Sequence, residues 1–397
     1  MATSPEPASE RLAGLAVAHG RLGIDTEFVS EGRYRPLLCL VQVVVPDPDS
    51  ADGQLIGLLD PLDSRPSDPA PLALVLADPD VEVVVHAARQ DVAILQREWD
   101  TEVRGLFDTQ VAAAFAGLGA QLGHGALIAG LLDRRAAPTA SFTKWDTRPL
   151  SADQLAYARD DVLHLLALAD ALHERLGRSG RLEWAREECR LVEQASGLRD
   201  PSEAWRRLPR VGRLSGRQRA VARELAAWRE RTAAAEDRPL GSVVGDAQLV
   251  EIANRQPGST DALADIRGLH PPVLRRRGAA LLAAVARGRQ AEPLIREEGQ
   301  RPPSGPALSP LVSLCEALVR HRVASAGIAY ELVASRAELE TLAAAVRSGA
   351  REPEVRVLAG WRRELVGEEL LALMAGQIEL TVKDGALHVA AGDDASP

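Results

Sequence analysis

The stretch Gly23-Ile24-Asp25-Thr26-Glu27-Phe28-Val29 limits what this chain can become more than any other. Arg21 to Ile24 reads as the end of a short strand, and in extended chain Asp25 and Glu27 point to the same face of a sheet. Neighbouring carboxylates repel each other, so folding alone gives no reason to keep the pair. A divalent cation between them removes the repulsion, because hard ions such as Mg²⁺ and Mn²⁺ prefer carboxylate oxygen. The competing reading is a polar strand end running into a loop, and this stretch alone does not choose.

A chain of 397 residues is too long for one ordinary domain, so two or three are expected. Hydrophobic residues at 46% allow real cores, and with aromatics at 3% those cores must be built from Leu, Val and Ala. The net charge of −9 is unevenly spread. Residues 1–200 carry 19 basic and 31 acidic groups, whereas residues 206–290 carry 17 basic and 8 acidic. An acidic front joined to a basic middle suggests a metal-holding domain beside a phosphate-binding one. Among 47 basic residues only Lys144 and Lys383 are lysine. Arginine grips phosphate in a fork, although a GC-rich coding sequence gives the same excess. Cys39, Cys189 and Cys315 are far apart and form no CxxC pair, which argues against structural zinc and a disulfide framework. Met1 to Glu10 reads as disordered. With no apolar signal core and no run of ~18 apolar residues, no membrane role and a cytoplasmic location are expected.

In order, strands are expected at Leu37–Val45 and Gln54–Leu59, which with the first strand make an antiparallel meander. Pro71–Ala77 reads as a helix, Val81–Val85 as a buried parallel strand, and Ala88–Trp99 as a helix. Leu106-Phe107 is a short strand, and Asp108 an N-cap for Thr109–Ala116. Helices follow at Ala126–Leu132 and Ala152–Leu176. This order predicts an α/β domain with a mixed sheet. From about Arg210 the pattern is helical only: Leu214–Glu230, Asp246–Asn254, Thr260–Ile266 and Pro272–Gly288. After a Pro-rich linker come Leu311–Ala324, Arg336–Val346 and Trp361–Met374, then a hairpin turned on Asp384-Gly385. Val243 to Leu249 and Val333 to Leu339 echo each other just where helices begin, as in a diverged repeat.

Two further places carry chemistry. Asp91, in His86-Ala87-Ala88-Arg89-Gln90-Asp91, falls in the first turn of a helix, where an acid also simply complements the helix dipole. Tyr157 and Asp161 lie four apart in a helical pattern and therefore share a face. Asp-x-Glu on the first strand, Asp after the fourth, then Tyr-x-x-x-Asp on a late helix: in this order the motifs resemble the DEDD superfamily of 3′-to-5′ exonucleases, in its tyrosine branch. Residues ~20–195 are most similar to ribonuclease D, through Asp25 to Val29, Leu40-Val41-Gln42, Asp60-Pro61-Leu62, His86-Ala87, Asp108-Thr109-Gln110 and Trp145-Asp146-Thr147-Arg148-Pro149-Leu150. Leu225 to Arg231, Asp237-Arg238-Pro239 and Asp246 with Leu249 resemble the helicase-and-RNase-D C-terminal (HRDC) domain, a nucleic-acid-binding module. The last segment is loosely similar to the second HRDC-like unit of the same enzymes. One departure is that Ala136 to Ser141 lacks the lysine usual before the Trp-x-x-Arg-Pro-Leu element, with Lys144 shifted towards Trp145.

The resemblance implies a ribonuclease H-like exonuclease domain at 11–200, an HRDC domain at 210–290, a linker at 291–307 and a second HRDC-like domain at 308–397. It implies that Asp25, Glu27, Asp91 and Asp161 hold two divalent ions, Mg²⁺ or Mn²⁺, and that Tyr157 orients the attacking water, its phenol being a poor base at neutral pH. The expected activity is trimming of RNA 3′ ends, tRNA precursors above all, with release of nucleoside 5′-monophosphates. A DNA exonuclease of the same superfamily and a non-catalytic RNA-binding adaptor are the rivals. Phe28 is either a base-stacking residue or core beside the strand. Arg148 either contacts a phosphate or caps a helix. Arg275, Arg276 and Arg277 form the densest basic cluster and are candidate phosphate contacts. His86 reads as a satisfied strand-end histidine, Gln42 as a core amide with local partners, and Trp184, Trp205, Trp228 and Trp361 as core.

Overall fold

The computed structural model describes residues 9–135, 144–195, 200–294 and 308–392. β-Branched runs and short turns build a five-stranded mixed sheet in the order β3-β2-β1-β4-β5. β1 (Arg21–Val29), β2 (Leu37–Pro46) and β3 (Gln54–Leu59) form the antiparallel meander. β4 (Glu82–Val85) and β5 (Leu106–Asp108) join parallel to β1. β1 is longer than the sequence reading, so Asp25 and Glu27 lie inside the strand, and a bulge follows between Glu27 and Phe28.

Both faces of the sheet are covered. Leu22, Ile24, Val43 and Val83 pack under α1 (Ser9–His19), α2 (Ala70–Ala77) and α3 (Arg89–Glu98). The other face takes α4 (Thr109–Phe115), α5 (His124–Leu132), α6 (Ala152–Leu163) and α7 (Leu165–Ser179), while α8 (Leu182–Glu193) closes the β5 edge. Gly23 permits this: a Cβ there would stand 2.6 Å from Val44 and 3.1 Å from Leu165, so α7 could not approach β1. Two departures from expectation matter. Ser9 and Glu10 begin α1, which the sequence reading left out; Met1 to Ala8 lie outside the described residues. The helix expected over Ala152–Leu176 is broken at His164, which lets α6 cross the sheet near its acids while α7 runs on towards α8.

The first helical unit comprises α9 (Gly216–Glu236), α10 (Leu240–Val243), α11 (Asp246–Arg255), α12 (Thr260–Ala264) and α13 (Pro271–Gln290). It has a core of its own, including Trp205, Leu225, Ile252 and Leu281. Among the described residues it meets the sheet domain at the β1–β2 loop. Tyr34 leans on that core, and its hydroxyl donates to Glu230 at 2.5 Å. Arg33 donates to Asp237 at 2.8 Å.

The last unit comprises α14 (Ser309–Ala326), α15 (Tyr330–Val333), α16 (Arg336–Arg347), α17 (Gly360–Arg362), a π-helical turn at Arg363–Gly367, and α18 (Glu368–Met374). A hairpin follows, β6 (Ile378–Lys383) and β7 (Ala386–Ala391), whose turn residues Asp384 and Gly385 have φ of 51° and 78°. Its core is continuous with that of the sheet domain: Val312, Leu318, Leu342 and Trp361 belong to the same cluster as Phe115, Leu127 and Leu172. Trp361 meets Phe115 edge-on at 4.8 Å and stacks on Trp184 at 5.5 Å. Beside it, Arg362, with a side chain 3% exposed, pairs with Glu188 at 2.8 Å.

The internal echo is a backbone repeat. α10 and α15 are both four-residue helices ending in a buried valine, Val243 and Val333. Each is followed by an extended residue, Val244 (φ −158°, ψ 134°) or Ala334 (φ −152°, ψ 149°), and then by the N-cap of the next helix, Gly245 or Ser335.

Candidate active site

The site is assembled where α6 crosses β1 and β2. In the strand register Asp25 faces Gln42 and Glu27 faces Leu40, so both acids look out on the α6 side. α6 is anchored at its start by a capping box between Ser151 and Gln154, and it presents Tyr157 and Asp161 one turn apart. The Tyr157 hydroxyl donates to the Asp161 carboxylate. Asp91 comes from the first turn of α3, and the Thr26 hydroxyl donates to it. Thr26 thus ties the third motif to the strand that carries the first.

Asp108 has a larger part than the N-cap expected of it. It caps α4 by accepting from Gln110 and Val111, and it also accepts from the backbone of Ala87 at 2.9 Å and Ala88 at 3.1 Å. Ala87 has a φ of 56°, a conformation that ordinary residues avoid. Asp108 therefore holds the bend that aims α3, and Asp91 with it. His86 is satisfied, as expected, by Thr109 at 2.9 Å, and burial lowers its pKa to about 4.

The electrostatics show how closely the acids are coupled. Burial, then Asp91, Asp161 and Glu27 in that order, hold the Asp25 carboxyl well above the usual range. Burial, Asp161 and Asp91 push Glu27 up to about 8. Burial and Asp160 push Asp161 up to about 7, against the stabilising hydrogen bond from Tyr157. Burial and the neighbouring acids push the Tyr157 phenol up as well. Asp25 is the hub, repelled by the other three carboxylates of the motif set. Among the described residues no group of three or more His, Cys, Asp or Glu side chains is already arranged to hold a metal ion. The donor set, four carboxylates with hard oxygens, fits divalent cations, and their charge would relieve the repulsion.

A profile of the 3′-5′ exonuclease family matches residues 3–177, and the HRDC domain profile matches residues 218–285. Ribonuclease D of Gluconacetobacter diazotrophicus is 38% identical over 365 residues, which span 91% of this chain and 89% of that protein. Ribonuclease D of Granulibacter bethesdensis is 37% identical over 387 residues, or 94% and 93% of the two chains. This chain belongs to the ribonuclease D family. The crystal structure of Escherichia coli RNase D, an exoribonuclease involved in structured RNA processing, matches with a TM-score of 0.78 at 29% identity, covering 92% of this chain and 97% of that one. As a ribonuclease D, the protein is a 3′-to-5′ exoribonuclease with a ribonuclease H-like catalytic domain and a helical HRDC region.

Against that ribonuclease D frame, the outer residues singled out in the sequence fall differently. Phe28 is half-buried and packs against the core on the α1 and α3 side. Arg148 corrects the expectation of a phosphate contact or helix cap. Its guanidinium donates to both oxygens of Asp60 and to the carbonyls of Cys39, Trp145 and Thr147, which leaves no donor for a substrate. It clamps the loop before α6 onto β2 and the residue just after β3. Within the arginine cluster of α13, Arg277 pairs with Glu236 at 2.6 Å and its side chain is 12% exposed. Arg276 reaches the same carboxylate at 3.4 Å, and Arg275 remains exposed. Ala136 to Ser141 lies outside the described residues.

Proposed function

We propose that Asp25, Glu27, Asp91 and Asp161 hold a pair of divalent ions, Mg²⁺ or Mn²⁺, at which this exoribonuclease cleaves the 3′-terminal phosphodiester bond. Exonucleases of this family depend on metal. The observation that carries the reading is the convergence of three half-buried carboxylates, Glu27, Asp91 and Asp161, on the half-buried Asp25, with Tyr157 bonded to Asp161. Bound cations would supply an activated water and stabilise the leaving 3′ oxygen. The chain itself supplies the rest. Asp25 is placed between the other acids, Thr26 and Asp108 fix Asp91, and Tyr157 keeps its proton. A phenol with an ordinary pKa of ~10 is a poor base at neutral pH, so Tyr157 is read as orienting a water through its oxygen.

The favoured substrate is the 3′ extension of a tRNA precursor, with nucleoside 5′-monophosphates as products. The division of labour follows the expected boundaries: 11–200 cuts, the basic 210–290 unit grips RNA, 291–307 links, and 308–397 completes the body. Three free, buried cysteines suit a reducing cytoplasm, and among the described residues no helix is long and apolar enough to cross a membrane.

The test is digestion of a 3′-extended tRNA in Mg²⁺ or Mn²⁺, with products resolved nucleotide by nucleotide beside matched DNA and circular RNA. The expected result is stepwise loss from the 3′ end, RNA preferred and the circle intact. Asp25→Asn and Asp91→Asn should each lose activity by orders of magnitude while remaining folded. Tyr157→Phe should lower kcat by roughly 10²–10⁴-fold. Near-normal turnover of either Asn variant at saturating Mg²⁺ would remove the site.

A further inference from the structure

Gln42 lies midway along β2, an interior strand of the sheet, and is 0% exposed. Among the described residues neither its Oε1 nor its Nε2 has a hydrogen-bond partner. The sequence suggested an ordinary core amide with local partners, and that expectation is overturned. Buried side-chain amides are almost always paired, because desolvating a donor and an acceptor without replacement is costly. A methionine of similar volume would fill the same space without that cost.

Its position supplies a reason. Gln42 is the strand partner of Asp25 on one side and of Leu58 on the other. Cross-strand partners project to the same face, with Cβ atoms ~5 Å apart. The amide therefore lies beside the hub carboxylate, in the layer between the sheet and α6, where Ala158 packs with 0% exposure. Asp25 has two oxygens, so its carboxylate could accept from an amide as well as serve a cation. A hydrogen bond from an amide to an ionised carboxylate is about twice as strong as one between neutral groups. The unpaired amide is thus placed next to a carboxylate that can accept from it.

We propose that Gln42 is a positioning residue: its amide N–H turns onto the Asp25 carboxylate in the cation-loaded enzyme and fixes the orientation in which Asp25 serves the ions. This rests on the metal site proposed above. It makes the free protein carry an unfavourable group whose partner is gained only on loading, so Gln42 raises cation affinity at the expense of the ion-free fold.

The experiment uses the full-length chain with Gln42→Met, which removes the amide, and Gln42→Asn, which draws the amide back by one methylene. Mn²⁺ binding is titrated calorimetrically without RNA, and melting is followed in EDTA. Both variants should bind Mn²⁺ roughly tenfold more weakly, and Gln42→Met should melt in EDTA at or above the wild-type temperature. On RNA, kcat should fall while KM holds. Unchanged Mn²⁺ affinity, or an affinity loss that comes only with a lowered EDTA melting temperature, would reduce Gln42 to packing and overturn the proposal. Asp25→Asn run alongside separates the two readings. If it retains activity and Mn²⁺ binding, the metal site fails; if it loses both while Gln42→Met behaves as wild type, only the role of Gln42 fails.

Discussion

The two helical units share a backbone turn and differ in how they meet the nuclease. The first, α9 to α13, buries its apolar residues against one another and touches the sheet domain through Tyr34 and Arg33, mostly by polar contacts. The last, α14 to α18, has no comparable independence. Its leucines and Trp361 share one cluster with α4, α5 and α7, and its Arg362 is buried against Glu188 of α8. Apolar surface buried between units cannot be re-exposed cheaply, whereas polar contacts exchange with water at little net loss. The same supersecondary unit has therefore become part of the body in one place and a docked accessory in the other.

The sharpest way to break this comparison is Trp361→Ala. Removing an indole from a shared core should cost about 3–5 kcal/mol, and the loss should appear in the unfolding of the nuclease sheet. The transition of the first unit should not move. Calorimetry of the full chain reads both, and a sheet transition unchanged by Trp361→Ala would mean that the last unit is separable after all.

The pH dependence should divide along the same line. Glu27 and Asp161 titrate near 8 and 7 in the folded, ion-free protein, well above ordinary carboxyls. Folding thus favours their protonated forms. Their contribution is complete below the ordinary carboxylate range and is lost as pH rises through 7 to 8. In EDTA, the body should melt at progressively lower temperature between about pH 6 and 9, and saturating Mg²⁺ should flatten the trend. In the first unit Glu236 is instead held low by its hydrogen bond from Arg277, so its melting should stay level over that window. A body that melts independently of pH in EDTA would contradict the coupled carboxylates.

The polar contact should yield a smaller effect. Tyr34→Phe removes the hydrogen bond to Glu230, worth about 1 kcal/mol, and should raise KM for structured RNA several-fold while kcat on a short single strand holds. Equal KM changes on both substrates would argue that the loop acts on the site and not on the placement of the RNA-binding unit. Smallest of all, Arg275→Gln should flatten the slope of log K against log salt by about 0.7–0.9. Arg277→Gln should leave the slope alone and slightly destabilise the first unit by removing the nearer of the two arginines on Glu236.

Much of this was legible in the sequence because it rests on local pattern. The meander, the parallel strand before Asp91 and the Tyr157–Asp161 pair follow from periods of two and about 3.6 residues. The break at His164 was not legible, because no proline or glycine marks it. Arg148 could not be read as a clamp, since its partners lie on β2, just after β3 and in the loop around it, brought together only by folding. Asp108 gave a signal, its N-cap position, but its second task depends on the unusual backbone of Ala87. The merging of the last unit with the nuclease was invisible: a helix stripe reports that it will be buried, and not against what.

The order of the chain gives the shared core a further meaning. The polypeptide leaves the nuclease body after α8, forms the first helical unit, and returns to the same body at α14. That unit is therefore an insertion, tethered at both ends to one rigid object. If the Tyr34 contact opens, the basic surface cannot diffuse away, and its effective concentration near the nuclease stays in the millimolar range set by short connections. Proximity is supplied by covalent connectivity, and the Tyr34 contact is left to set orientation alone.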